Sequence, residues 1–263
     1  MRLTRIVRRS LGATLEMALP STCGGCGAPG PTWCCSCAHE TGHTTPPGGP
    51  GLVFPTPCPV GHPPTWAATS YDGAARAALV AFKDGDRRDL AAVLAPILSH
   101  AIAAALGRDA SLRAVLVSGN GPVFVVPVPS SSAAVRRRGD APLELLTRAA
   151  LHEVALSERE LIVSPALGLR RRVADQAGLD RGQRATNLER AMQVQQRWRP
   201  NIRGVTCLLV DDVLTTGATL TEAARALRAG GAEHVAAATV AATRRRGIPA
   251  GGGAREPDLG TDS

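Results

Sequence analysis

The chain is poor in aromatic residues. Phe, Trp and Tyr make up 3% of its 263 residues, with a single tyrosine among them. Side chains that could stack the bases of a single nucleic-acid strand are therefore scarce, and Leu, Val and Ala must pack the core. Lysine is scarcer still. It occurs once, as Lys83, and every other Lys/Arg position is arginine. Such a bias reflects the base composition of the coding sequence, so the lone exception stands out as a site that wants a compact ammonium. No stretch reads as long and apolar enough to span a membrane. The first twenty residues start basic, but Arg8, Arg9 and Glu16 interrupt any secretory core and no small-residue cleavage site follows. Leu3, Val7, Leu11, Leu15 and Ala18 instead mark one face of a helix over residues 1–20. That face suits docking on the protein's own core, with a membrane-surface helix as the alternative. The expected location is cytoplasmic.

What is present points to one large domain with a small accessory module. Hydrophobic residues reach 44%, enough for a substantial core, and the net charge is +8. The basic residues are scattered along the chain, which weakens a nucleic-acid reading.

Cys23 and Cys26 form one C-x-x-C pair, Cys34 and Cys37 a second. Each such turn aims two thiolates at one point, so the four fit a tetrahedral structural zinc site over residues 21–43. Disulfides of an exported protein or an iron–sulfur cluster are the alternatives. Cys35 could replace Cys34, but Cys34 gives the better register. His39 and His43 read as surface histidines. Residues 44–65 are rich in Pro and Gly and read as a linker, with Cys58 and His62 as spare polar residues inside it.

A main domain over 66–243 follows. Ala67–Tyr71 reads as a strand, Gly73–Phe82 as a helix ending at Lys83, and Leu90–Leu106 as a long apolar helix. Val123–Val128 is a β-branched run of a buried strand. Beyond it, Arg136, Arg137 and Arg138 are placed for an anion, since open α/β sheets bind ligands at the carboxyl edge of their strands. Leu143–Val154 reads as a helix. The polar segment 170–192 has the character of a functional loop, and 244–263 that of a disordered tail.

The most informative stretch is Gly204–Gly231. An apolar strand, Val205–Val210, ends in Asp211 and Asp212. A loop of small residues follows, Val213 to Thr219, then an apolar stripe at helical spacing, Leu220, Ala223, Ala224 and Leu227, stopped by Gly230 and Gly231. His234–Ala242 completes a βαβ unit. Unpaired N–H groups at the helix start attract phosphate, and Gly217 lets the backbone come close to it. Thr215, Thr216 and Thr219 add hydroxyl donors. The loop has neither a Gly-Lys-Ser/Thr nor a G-x-G-x-x-G pattern. Two carboxylates beside a phosphate make sense as readers of sugar hydroxyls or neighbours of a bound Mg²⁺.

The run Val210–Thr219, VDDVLTTGAT, resembles the phosphoribosyl pyrophosphate (PRPP) motif of type I phosphoribosyltransferases. Together with the cysteine module, the chain is similar to ComF-type phosphoribosyltransferases. Gln176, Leu179, Arg184, Asn187 and Ala191 match that family's polar segment, and Lys83 falls where the family has a lysine after its first helix. Asp175 and Met192 depart from the pattern, as do Asp140-Ala141-Pro142 after Arg138-Gly139, and Ala134, where the family often has arginine. The resemblance implies an α/β fold: a mostly parallel sheet flanked by helices, with a small N-terminal Cys₄ zinc module. It implies Asp211 and Asp212 on the ribose hydroxyls, and Thr215, Thr216, Gly217, Ala218 and Thr219 around the 5′-phosphate. Arg138, Arg137 and Lys83 would be catalytic, and Gln176, Arg184 and Asn187 would lie on a closing loop. The implied cofactors are Mg²⁺ with PRPP and a structural Zn²⁺. The implied reaction moves phosphoribose to a nitrogen acceptor, a nucleobase or another amine. The alternative is a non-catalytic PRPP- or nucleotide-sensing accessory in DNA uptake (natural competence), with single-stranded DNA or a helicase as partner.

Overall fold

The computed structural model describes residues 22–45, 49–129, 141–154, 160–169 and 191–243. The expected helix over 1–20 and the tail over 244–263 lie outside the described residues. Helix α1 (Cys35–Thr44) belongs to the cysteine module. Strands β1 (Gly51–Val53) and β2 (Thr65–Ser70) lead to α2 (Gly73–Asp84), α3 (Ala91–Arg108) and α4 (Ala110–Ser118). Then come β3 (Val123–Pro127), α5 (Pro142–His152), β4 (Leu161–Val163), β5 (Leu167–Leu169) and β6 (Met192–Val194). The short α6 (Arg199–Ile202) precedes β7 (Thr206–Leu214), α7 (Ala218–Ala229) and β8 (His234–Ala242).

Among the described residues, six strands form one sheet in the order β1-β2-β8-β7-β3-β4. Only β1 pairs antiparallel, at the edge; every other pairing is parallel. The fold is thus the α/β class expected. A parallel sheet is covered on both faces, so its inner strands must be apolar on both. Strand β7 shows how one sequence serves two layers. Leu208 and Val210 join a core with Leu79, Phe82, Leu94, Leu98 and Ile102, from α2 and α3. Cys207 and Leu209 join a second core with Leu220, Ala224 and Leu227 of α7, and with Met192 and Val194. The period of two in a strand divides the residues between layers. In β8 most of these positions are alanine, so the helices come close and their leucines supply the volume that aromatics do not.

Three features depart from the sequence reading. First, β7 continues past the two acids to Leu214. The alanine-rich β8 runs alongside, and its Thr239, Ala241 and Ala242 pair with Asp211, Val213 and Leu214. The carboxylates therefore sit on a strand rather than in a turn. Second, Arg88–Arg108 is long and apolar enough to cross a membrane by length and composition, with mean hydropathy 1.9. Its Leu94, Leu98, Ala101, Ile102 and Ala105 are buried in the core, and α3 packs on β2 and β8, so the apolar face is that of a core helix. Third, Gly51–Val53, within the Pro/Gly-rich stretch, pairs with β2 as an edge strand.

A small antiparallel hairpin of β5 and β6 lies outside the sheet. Buried Glu222 of α7 ties it down. Its Oε1 accepts from the Met192 N–H at 2.9 Å, and Arg225 donates to both its oxygens and to the Met192 carbonyl.

Candidate functional site

Parallel strands deliver their carboxyl ends to one edge, and the loops there meet over a cleft of about 650 Å³. Its lining includes Tyr71 after β2, Lys83 and Asp84 at the end of α2, and Pro129 after β3. Pro142, at the start of α5, closes one side, and Asp211, Asp212, Thr215 and Thr219 form another. Five of the residues singled out from sequence therefore meet: Lys83, Asp211, Asp212, Thr215 and Thr219. Thr216, Gly217 and Ala218 complete the same turn. Arg136, Arg137, Arg138, Gln176, Arg184 and Asn187 lie outside the described residues.

The electrostatics of the cleft turn on two adjacent carboxylates. Asp212 shares the strand face of Leu208 and Val210, on which α2 packs, and its Oδ2 meets the Lys83 ammonium at 2.7 Å. Partial burial pulls the Lys83 ammonium down, but Asp212, Asp211 and Asp84 more than offset this and raise its pKa. Asp211 is 8% exposed, and its Oδ1 accepts from the Asp212 N–H at 2.9 Å. Burial, and then the neighbouring charge of Asp212, push its carboxyl well above the usual range. A carboxyl held in this way, beside a cation and facing a cleft, is suited to hydrogen bonding with a polar ligand.

The turn after β7 is shaped for close approach. Gly217 caps α7 with φ +75°. A Cβ there would lie 2.6 Å from Pro55 Cγ and 3.0 Å from the His62 ring. Glycine is thus required twice, by conformation and by space. Thr215 and Thr216 are exposed, and the first-turn N–H groups of α7 face the open end.

The four cysteines expected as ligands converge. The sulfurs of Cys23, Cys26, Cys34 and Cys37 lie within 4.8 Å of one another. The Cys23–Cys37 and Cys26–Cys34 separations are 3.6 and 3.8 Å. Tetrahedral thiolates at about 2.3 Å from zinc would stand about 3.8 Å apart, so the set could hold a structural zinc. Burial raises the Cys23 thiol, but N–H groups of Cys26, Cys34 and Gly25 overcome it and bring it to about 6, whereas burial and the neighbouring thiols push the Cys37 thiol up. Cys35 and Cys58 are exposed and stand apart, as does the His39–His43 pair.

The module is fastened to α2, the helix that carries Lys83. Glu40 Oε1 of α1 accepts from the Ala74 N–H at 2.9 Å, and Arg87 donates to the Thr22 carbonyl at 2.9 Å. The cleft and the cysteine module therefore share one helix. Sequence reasoning did not single out Tyr71 or place His62. Tyr71 follows β2 at the carboxyl edge, a usable signal; His62 is 159 positions from its partner Thr221, and no local pattern could reveal that.

An α/β sheet with an acid pair, a glycine turn and a helix start at its carboxyl edge has the shape and donors that suit a phosphorylated ligand. Residues 165–254, about a third of the chain, match the family model of the phosphoribosyl transferase domain. The match contains β7, its turn and α7, and it supports a PRPP-binding protein of the phosphoribosyltransferase family. No curated protein matches the chain.

Two outcomes follow from this geometry. With a raised carboxyl, Asp211 keeps a proton in the folded state that the unfolded chain releases near pH 4. Its contribution is complete below that pH and is lost as pH rises through the folded value. Asp211→Asn keeps the acceptor for the Asp212 N–H and removes the buried ionisable group. Thermal melts of the ligand-free protein at pH 8 should show a higher midpoint for the variant; a lower one would contradict the assigned burial. For the metal, protein purified without added zinc should carry about one zinc per chain, and chelation should lower its midpoint. Less than about half an equivalent, with all thiols reactive, would contradict a Cys₄ site.

Proposed function

We propose that this protein is a ComF-type phosphoribosyltransferase that moves phosphoribose from PRPP to a nitrogen acceptor and releases pyrophosphate. One observation carries the reading: the Asp211–Asp212 pair and the Thr215–Thr219 turn face one cleft at the sheet edge, with Lys83 held on Asp212. Asp211 and Asp212 accept the ribose 2′- and 3′-hydroxyls. Thr215 to Thr219 enclose the 5′-phosphate with N–H and hydroxyl donors. Lys83, paired with Asp212 in the ligand-free protein, supplies positive charge where pyrophosphate departs. The hard oxygens of Asp212 and Asp84 would hold a Mg²⁺ bound with PRPP, and its charge would offset that of the pyrophosphate.

In the reaction the bond from C1′ to the pyrophosphate oxygen breaks, and the acceptor nitrogen forms a new bond to C1′. Arg138 and Arg137 stabilise the leaving pyrophosphate. Pro129 and Pro142, at the two flanks of their segment, both line the cleft. Gln176, Arg184 and Asn187 belong to the segment that closes over the reacting atoms and excludes water. The acceptor is a nucleobase or another amine. The division into a module over 21–43, a connecting stretch over 44–65 and a transferase domain over 66–243 belongs to the same proposal. So does a cytoplasmic location.

A second reading is a PRPP-sensing accessory of DNA uptake that contacts single-stranded DNA or a helicase. The observation favouring it is a basic cleft of about 680 Å³ at the far end of α7, lined by Arg199, Arg203 and Arg225. Pyrophosphate release with a panel of nucleobases separates the two readings.

Calorimetric titration with PRPP and Mg²⁺ tests the site that both readings share. The double variant Asp211→Asn/Asp212→Asn should bind about 100-fold more weakly than the wild type, because amide oxygens accept the ribose hydroxyls more weakly than carboxylates do. Equal affinity would remove the site assignment.

A further inference from the structure

The stretch between the cysteine module and β2 lies against the phosphate turn. Pro55 and His62 occupy the space beside Gly217 that a side chain would need. His62 Nδ1 stands 3.0 Å from the Thr221 hydroxyl in the first turn of α7, and its Nε2 stands 3.2 Å from the Thr65 hydroxyl at the start of β2. The ring thereby bridges two elements of the sheet edge.

The Thr65 hydroxyl gives the ring one consistent hydrogen-bonding pattern. The Thr65 hydroxyl donates its one proton to the Pro63 carbonyl at 2.9 Å. Its oxygen is then free to accept from His62 Nε2–H, and Nδ1 is left as the acceptor for the Thr221 hydroxyl. Burial lowers the His62 pKa, the Gly217 carbonyl acts the other way, and Arg228 adds to the lowering. The net direction favours the neutral ring that this pattern needs. Further along α7, Arg228 donates to the Gly61 carbonyl at 2.6 Å. The segment is thus pinned to the helix at both ends, while Thr221 N–H closes the first turn on the Gly217 carbonyl at 2.9 Å.

We propose that His62 is a positioning residue for the phosphate turn: through Thr221 and by packing on Gly217, it holds the Thr215–Thr219 backbone in the shape that receives a sugar 5′-phosphate. The inference rests on the reading of that turn as the 5′-phosphate site. A turn of exposed threonines ahead of a glycine has many conformations, and an anion binds most tightly when the N–H groups already converge. The imidazole removes that freedom without touching the ligand. Its action is confined to one end of PRPP, because the pyrophosphate end lies toward Lys83 and Asp212.

The test uses the full chain and two probes, ribose 5-phosphate for the turn and pyrophosphate with Mg²⁺ for the opposite end. Affinities are measured for the wild type, His62→Ala, Thr221→Val, the double variant and His62→Gln. His62→Ala and Thr221→Val should each weaken ribose 5-phosphate roughly tenfold, the scale of one lost hydrogen bond with its ordering. The double variant should be no weaker than His62→Ala. His62→Gln, whose amide offers one acceptor and one donor, should recover much of the loss. Pyrophosphate affinity should stay within about twofold throughout. If His62→Ala does not fold, Thr221→Val and His62→Gln still decide the matter. Wild-type affinity for ribose 5-phosphate in Thr221→Val and His62→Ala, or equal loss of both probes, overturns the positioning role alone. Absence of ribose 5-phosphate binding in the wild type overturns the reading of the turn itself, and the inference with it.

Discussion

Two carboxylates stand side by side at the end of β7, and one of them is buried. Like charges in that position repel, and burial adds to the cost. Burial and the charge of Asp212 raise the pKa of Asp211, and its Oδ1 accepts from the Asp212 N–H. Asp212 answers through Lys83, 2.7 Å away. Much of the architecture serves that arrangement. Helix α2 must end where its lysine reaches the strand, and the helix is fixed at its start by Glu40 of the cysteine module. The cysteine module and the cleft are thereby mechanically connected, although the four cysteines take no part in the cleft's chemistry.

The other half of the cleft depends on shape rather than charge. Gly217 has a positive φ and no room for a side chain. Pro55 and His62, from the stretch before β2, fill that room. A segment rich in Pro and Gly has little conformational freedom left once it is packed, which suits a brace. Acid pair and glycine turn are adjacent in sequence but are held by different parts of the chain, α2 on one side and residues 55–62 on the other. Ligand recognition at each end can therefore be perturbed separately.

The βαβ unit was legible because its signals are local. An apolar run, two acids, a small-residue loop and a helical stripe follow one another within Gly204–Gly231, and β8 was placed at His234–Ala242 as observed. The cysteine spacing was legible for the same reason. Much of what escaped was set by partners distant in sequence. Strand β7 runs past its acids because β8 offers backbone alongside. The helix α4 is announced only by Asp109, whose side chain accepts from Ser111 and Leu112 N–H groups, and by Gly119 at φ +64°. Those two caps bracket a short stretch that sequence periodicity passed over. The hairpin of β5 and β6 depends on buried Glu222 of α7, whose carboxylate reads as a surface charge until its partners are known. His62 lay in a stretch read as a linker, and only the fold brings Thr221 beside it. Lys83 was conspicuous by its rarity, but its partner Asp212 emerged only from the packing of α2 on the sheet.

The central claim is that the turn after β7 receives the 5′-phosphate of a phosphoribosyl ligand. Backbone amide NMR of the full chain during titration with ribose 5-phosphate tests it most directly. Saturable shifts should be largest at the N–H groups of Thr215, Thr216, Gly217, Ala218 and Thr219, with smaller changes at Asp211 and Asp212. Unmoved amides in that turn at saturating ligand, with the shifts gathered instead around Arg199 and Arg203, would contradict the account.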